Sequence, residues 1–87
     1  MIHELKTDPK VFDAVVLGQK TFEIRKDDRG FAVGDLLRLR STVFTGEEIA
    51  SGCPLEYTGD EITREVTYIL RGPCYGLADG WVIMSIQ

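Results

Sequence analysis

Histidine and cysteine are scarce in this chain: there is one histidine, His3, and two cysteines, Cys53 and Cys74, with no CxxC spacing between them. That set is too small for a zinc site, and it implies no disulfide framework. No apolar stretch approaches the roughly 20 residues needed to span a bilayer, and Met1 to Lys6 is too short and too polar for a secretory signal. A reduced, cytoplasmic protein without membrane, metal or cofactor is the expectation. Nucleotide loops, HExxH and GxSxG motifs are missing as well, so no strong catalytic signature is present. Basic excess is also lacking. Fourteen acidic residues against ten basic ones give a net charge of −4, which excludes a polyelectrolyte clamp for nucleic acid.

The 87 residues suffice for one small domain, residues 1–87, and the 44% hydrophobic share is too high for an intrinsically disordered chain. The charges are unevenly placed. Lys20, Arg25, Lys26, Arg29, Arg38 and Arg40 lie within one 21-residue stretch, whereas Glu47, Glu48, Glu56, Asp60 and Glu61 follow it. Any contact with nucleic acid has to come from that local basic cluster.

The period of the apolar residues organises the rest. Ile2 to Lys6 reads as an edge or entry strand. Asp8-Pro9 is a helix start, with the Asp side chain expected to cap the free amides. Phe12, Val15 and Val16 then line one face of a helix from Pro9 to Leu17, stopped by Gly18. From Lys20 the period becomes two, with Phe22 and Ile24 pointing one way and Thr21, Glu23 and Arg25 the other. The apolar pair is assigned to the core.

Turns at Asp27–Gly30 and Gly34-Asp35 lead to a strand from Leu36 to Phe44, with Leu37, Leu39 and Val43 on one face. Thr45 to Glu61 is rich in glycine and reads as an irregular excursion, with a little strand near Leu55–Thr58. Ile62–Leu70 and Trp81–Ile86 complete the strands, the last apolar on both faces and therefore expected to be central or covered. The predicted core is Phe12, Val15, Phe22, Ile24, Leu37, Leu39, Val66, Val82 and Met84. One N-terminal helix and five to six strands predict an α+β, mainly β fold, a small bent sheet or barrel.

Chemistry is concentrated where the helix gives way to the first long strand, at Gly18, Lys20, Glu23 and Arg25. Glu23 and Arg25 project from one face. Lys20 joins them only if the chain has not yet entered regular strand geometry there. A lysine, a carboxylate and a guanidinium in one cleft suit a planar polar ligand, because arginine offers a fixed fork of donors and a carboxylate accepts from amines. Spacing alone favours the plainer alternative, a cross-strand salt bridge on a solvated face. His3 reads as packed or at the surface, and Asp27-Asp28 as turn formers. Tyr57, Tyr68, Tyr75 and Trp81 are aromatic groups able to stack a base or to pack at a barrel rim.

The segment Gly18-Gln19-Lys20-Thr21-Phe22-Glu23-Ile24-Arg25 resembles the G-x-K-x-x-E-x-R signature of ASCH domains, which have a PUA-like β-barrel. Further segments, including Val33-Gly34-Asp35, Tyr57-Thr58-Gly59 and Arg64–Leu70, look like a single-domain branch of unknown function common in phages and prophages. The resemblance implies an RNA- or nucleoside-binding cleft formed by Lys20, Glu23 and Arg25, with Arg29, His3 and Tyr75 as further ligand contacts. The oligomeric state stays open, monomer or weak dimer. Some small bacterial ASCH proteins resemble amidohydrolases of acetylated cytidine, with a threonine nucleophile three residues after the signature lysine. This chain has Glu23 at that position, and a carboxylate cannot replace the hydroxyl as acyl acceptor without cost. If the chain is an enzyme, Lys20 and Glu23 are its candidate catalytic pair. A third alternative is a phage-encoded module that binds a host protein through Thr45–Glu61.

Overall fold

The computed structural model describes residues 1–87. Its elements in chain order are β1 (Ile2–Thr7), α1 (Pro9–Val16), β2 (Phe22–Lys26), β3 (Leu36–Thr42), α2 (Gly46–Ala50), β4 (Tyr57–Arg71) and β5 (Trp81–Ile86). The strands form one five-stranded sheet in the order β1-β3-β4-β5-β2. β1 runs parallel to β3, and the other three pairings are antiparallel. The class is α+β and mainly β, as expected.

β4 is the spine of the sheet. Its first half pairs with β3, from Glu61 opposite Arg40 to Glu65 opposite Leu36. Its second half pairs with β5, and the register shifts between Val66 and Tyr68. A bulge adds a residue to one strand and increases the local twist, so one long strand serves both halves of the sheet. Sequence pattern divides this strand into two pieces and stops the first at Thr58; Gly59, Asp60 and Glu61 in fact continue it.

The core joins the inner faces of these strands to α1. Phe12 and Val15 from the helix meet Leu5, Leu37, Leu39, Val66, Val82, Met84 and Ile86, with Phe31 from the β2–β3 connection. Val16, expected beside them, is exposed. β3 ends at Thr42, so Val43 lies outside the strand and is exposed. Asp8 does not cap its own helix. Its Oδ1 instead accepts from Gly46 N at 2.9 Å, tying the start of α1 to the start of α2.

Two expectations need correction. Phe22 and Ile24 are 44% and 48% exposed rather than buried, while Glu23 is only 2% exposed. The register explains the inversion. Val82 and Met84 of β5 point into the core, and the antiparallel ladder sets Arg25 opposite Val82 and Glu23 opposite Met84. Directly opposite residues share a face. The polar side of β2 therefore looks inward. The second correction concerns closure. No backbone ladder joins β1 to β2, so the sheet is open, with these two strands at its edges.

The excursion between β3 and β4 is also more ordered than its glycines suggest. Thr45 and Glu48 form a reciprocal capping box that starts α2, and the Thr-x-x-Glu pattern for it is visible in the sequence.

Candidate functional site

The site is built where the end of α1 meets the first residues of β2. Gly18 adopts φ +74°, a left-handed value that a side chain disfavours, and it turns the chain out of α1. Gln19 N and Lys20 N both donate to Ala14 O, at 2.9 and 3.0 Å. Lys20 thus remains attached to the last helical turn, and β2 begins only at Phe22. This irregular start brings Lys20 to the same side as Glu23, meeting the condition set by the spacing.

Glu23 is the centre of the arrangement. Lys20 Nζ donates to its Oε2. Arg25 donates to its Oε1 from Nη2 at 2.9 Å and from Nε at 3.3 Å. A buried carboxylate is costly unless paired, and two cations hold this one. Lys20 is further fixed by a 2.6 Å bond to Phe22 O and lies 4.8 Å from the Phe22 ring centroid. Arg25 Nη2 also donates to Lys6 O at 3.0 Å, and Arg29 Nη1 donates to Glu4 O at 2.7 Å. Both arginines therefore reach from the β2 side to the backbone of β1.

These residues line a cleft of about 520 Å³. Five cations (Lys6, Lys20, Arg25, Lys26 and Arg29) and three carboxylates (Asp8, Glu23 and Asp28) face it. It is thus locally basic in an acidic chain. Trp81, partly exposed at the start of β5, supplies the aromatic wall, and Phe31 is buried behind it. Of the four aromatic residues weighed as stacking groups, Trp81 alone reaches the cleft.

Other expected contacts lie elsewhere. His3 is 5% exposed and its Nε2 is 2.8 Å from Asp35 Oδ2, with the ring edge-on to Phe31 at 4.8 Å. Asp35 also accepts from Ala32 N and the N-terminal ammonium. His3 therefore pins Asp35 within the core and does not line the cleft. The bond from His3 and those from Ala32 and the N-terminus pull the Asp35 carboxyl down to about 2. Tyr75 is 95% exposed in the β4–β5 connection and does not line the cleft. Asp27 is the turn former expected of it, its Oδ1 accepting from Gly30 N and Phe31 N and its Oδ2 from Arg71. Although desolvation opposes ionisation there, the bonds from Phe31, Arg71 and Gly30 leave its carboxyl below the ordinary value.

Arg38 and Arg40 do not join the cleft either. They pair with Glu4 and Glu61 on the outer face, and Arg40 stacks on Tyr57 at 3.8 Å. The basic stretch of the sequence is thus divided between two surfaces. Lys6 and Asp8 are cleft residues that sequence reasoning missed; their only signal was their place on either side of the β1–α1 junction.

Fold and cleft define a small, mainly β protein with a carboxylate-centred basic groove. Residues 2–86 match the family described as a domain of unknown function (DUF3850), and the chain belongs to that family. It is also 45% identical over 51 residues to an uncharacterised 12.9 kDa protein in the GpA 3′ region of Escherichia phage P2. That match takes in 55% of this chain and 47% of the phage protein, so the chain spans about half the length of the curated relative it matches. A phage-associated branch of unknown function, expected from the motifs, fits both matches. No helix is long and apolar enough to cross a membrane.

Proposed function

We propose that the protein is an ASCH-type, PUA-like module that binds RNA or a nucleoside in the cleft around Glu23. The observation that carries this reading is the buried Glu23 carboxylate, clamped by Lys20 and Arg25 and facing a groove walled by Trp81. The clamp preorganises donors and acceptors before a ligand arrives, which reduces the ordering cost of binding. Glu23 Oε2 accepts from Lys20 alone and keeps one acceptor site for an amine of a base, and the partly exposed indole offers a stacking surface. The bridges from Arg25 and Arg29 to the β1 backbone support reading the bent sheet as a PUA-like barrel whose last seam is made by side chains.

The test is a titration with the four ribonucleosides and short single-stranded RNAs, followed by amide and indole resonances. Shifts should cluster at Lys20–Lys26 and at the Trp81 indole, and Trp81→Ala should weaken binding. With about three phosphates neutralised, log affinity should fall against log salt with a slope near roughly −2. Shifts confined to the Arg38 and Arg40 face, or tight duplex DNA binding with a steep salt slope, would overturn the reading.

A further inference from the structure

Arg25 stands between two cavities. On one side is the cleft described above. On the other lies a second hollow of about 350 Å³, walled by Thr42 at the end of β3 and by Gly46, Ile49 and Ala50 of α2. Lys6, Asp8 and Arg25 line both. They form a partition that a ligand passing from one cavity to the other must cross.

The hydrogen-bonding capacity of this partition is only partly used. Arg25 commits Nε and Nη2 to Glu23 and to Lys6 O, leaving Nη1 without a partner in the protein. Lys6 lines both cavities and holds Arg25 through its carbonyl, while its exposed side chain lies opposite Arg40 on the outer face of the sheet. One cationic donor, Arg25 Nη1, therefore remains free at the boundary. Asp8 Oδ1 accepts from Gly46 N, and Oδ2 has no partner. An ionised carboxylate only accepts, so Oδ2 suits a ribose hydroxyl and disfavours a dianionic phosphate beside it.

We propose that the site takes a strand of at least two nucleotides rather than a lone nucleoside. One base occupies the Glu23–Trp81 cleft and the adjoining nucleotide the hollow beside α2. The single negative charge of the phosphodiester between them sits on Arg25 Nη1. This rests on the nucleic-acid reading of the cleft and specifies its ligand class. A guanidinium meeting one phosphodiester gives a charge-assisted hydrogen bond, the stronger kind. The gain for a dinucleotide over the matching nucleoside should reach about tenfold or more.

The experiment compares, by calorimetry, the four ribonucleosides, their 3′-monophosphates and the corresponding homodinucleoside monophosphates on the full chain. One variant accompanies it: Ala50→Trp, which fills the second hollow from an exposed helical position. The expected result is tightest binding by the dinucleotide, lowered to about the nucleoside's level by the variant. Nucleoside affinity should stay unchanged in it, because Ala50 lines the second hollow and not the cleft. The inference is overturned, with the nucleoside reading left standing, where nucleosides bind but dinucleotides bind no tighter. A 3′-monophosphate that matches the dinucleotide overturns it too, because the second hollow then contributes nothing. If none of the three classes binds, both this inference and the nucleic-acid reading fall.

Discussion

Arg25 at one edge of the sheet donates from Nη2 to the carbonyl of Lys6 at the other edge, at 3.0 Å. The same nitrogen is 2.9 Å from Glu23 Oε1, so one guanidinium satisfies a buried carboxylate and joins two strands that share no ladder. Site and fold are coupled through this group. Removing it leaves Glu23 with one cationic partner and β1 with a free edge carbonyl.

Arg25→Met should therefore lower unfolding stability by about 1–2 kcal/mol, the figure for a buried pair being reduced because the guanidinium is partly solvated. Lys26→Met, which breaks no ion pair, should stay within about 0.5 kcal/mol. Urea unfolding measures both. Equal effects of the two variants would show that the bridge contributes nothing to stability. A cycle pairing Arg25→Met with Glu23→Gln should return a coupling of about 0.5–3 kcal/mol.

The exposure of Phe22 gives a second outcome. Its ring is half-exposed at the strand edge, so Phe22→Ala should cost less than about 1.5 kcal/mol. Leu39→Ala and Met84→Ala, deep in the core, should each cost about 2–5 kcal/mol. The same urea experiment ranks the three. A Phe22 variant as damaging as the Leu39 variant would return that ring to the core.

Phe22 and Glu23 also show where the sequence was legible and where it was not. The alternation was correct, and a period of two identified β2. Its sign was wrong, because hydrophobicity assigns the apolar face inward and only the register with β5 reveals that the charged face is the inner one. That inversion coincides with the candidate site, where local rules and function conflict. The Gly18–Arg25 constellation was readable because Gly18 and the residues after it are local in the chain. Lys6 and Asp8 were not, since they join the cleft through the parallel β1–β3 pairing. The place of His3 away from the cleft was illegible for a related reason: its partner Asp35 is 32 residues away. α2 could have been found, because Thr45 and Glu48 carry a capping pattern that the surrounding glycines obscured.

Acid should act through Asp35. His3, the amide of Ala32 and the N-terminal ammonium hold its folded-state carboxyl at about 2, below the ordinary 3.8. Between these values the unfolded chain binds more protons than the folded one, so stability rises with pH across that window. The contribution is fully present above about pH 5 and is lost as pH falls toward 2. Asp35→Asn should consequently be less stable than the parent at pH 6, and the gap should narrow as pH approaches 2. Thermal unfolding across pH 2–6 records it. A gap that is constant or widens in acid would remove Asp35 from the acid response.

Hydrolysis of acetylated cytidine is the remaining outcome to settle, and the geometry argues against it. The resemblance to such amidohydrolases would require a threonine three residues after the lysine, where this chain has Glu23. Thr21 is exposed and does not line the cleft, while its carbonyl accepts from Ile86 N in the sheet. The Thr7 hydroxyl, which does line the cleft, is buried and donates to Leu5 O at 3.3 Å. Glu23 is the alternative base, but Lys20 holds one of its oxygens and Arg25 the other. To take a proton from water it must loosen one of these bonds at a buried site. Even a free general base contributes only about 10²–10⁴-fold, against about 10⁶-fold or more for an enzyme. Lys20 is itself committed to Phe22 O and Glu23, which leaves little donor capacity for a developing oxyanion. Incubation with acetylated cytidine should therefore release no acetate above the rate without protein, as measured by chromatography. Turnover near ~1 s⁻¹, lost in Lys20→Ala and in Glu23→Gln, would make the clamp a catalytic pair and the protein an amidohydrolase.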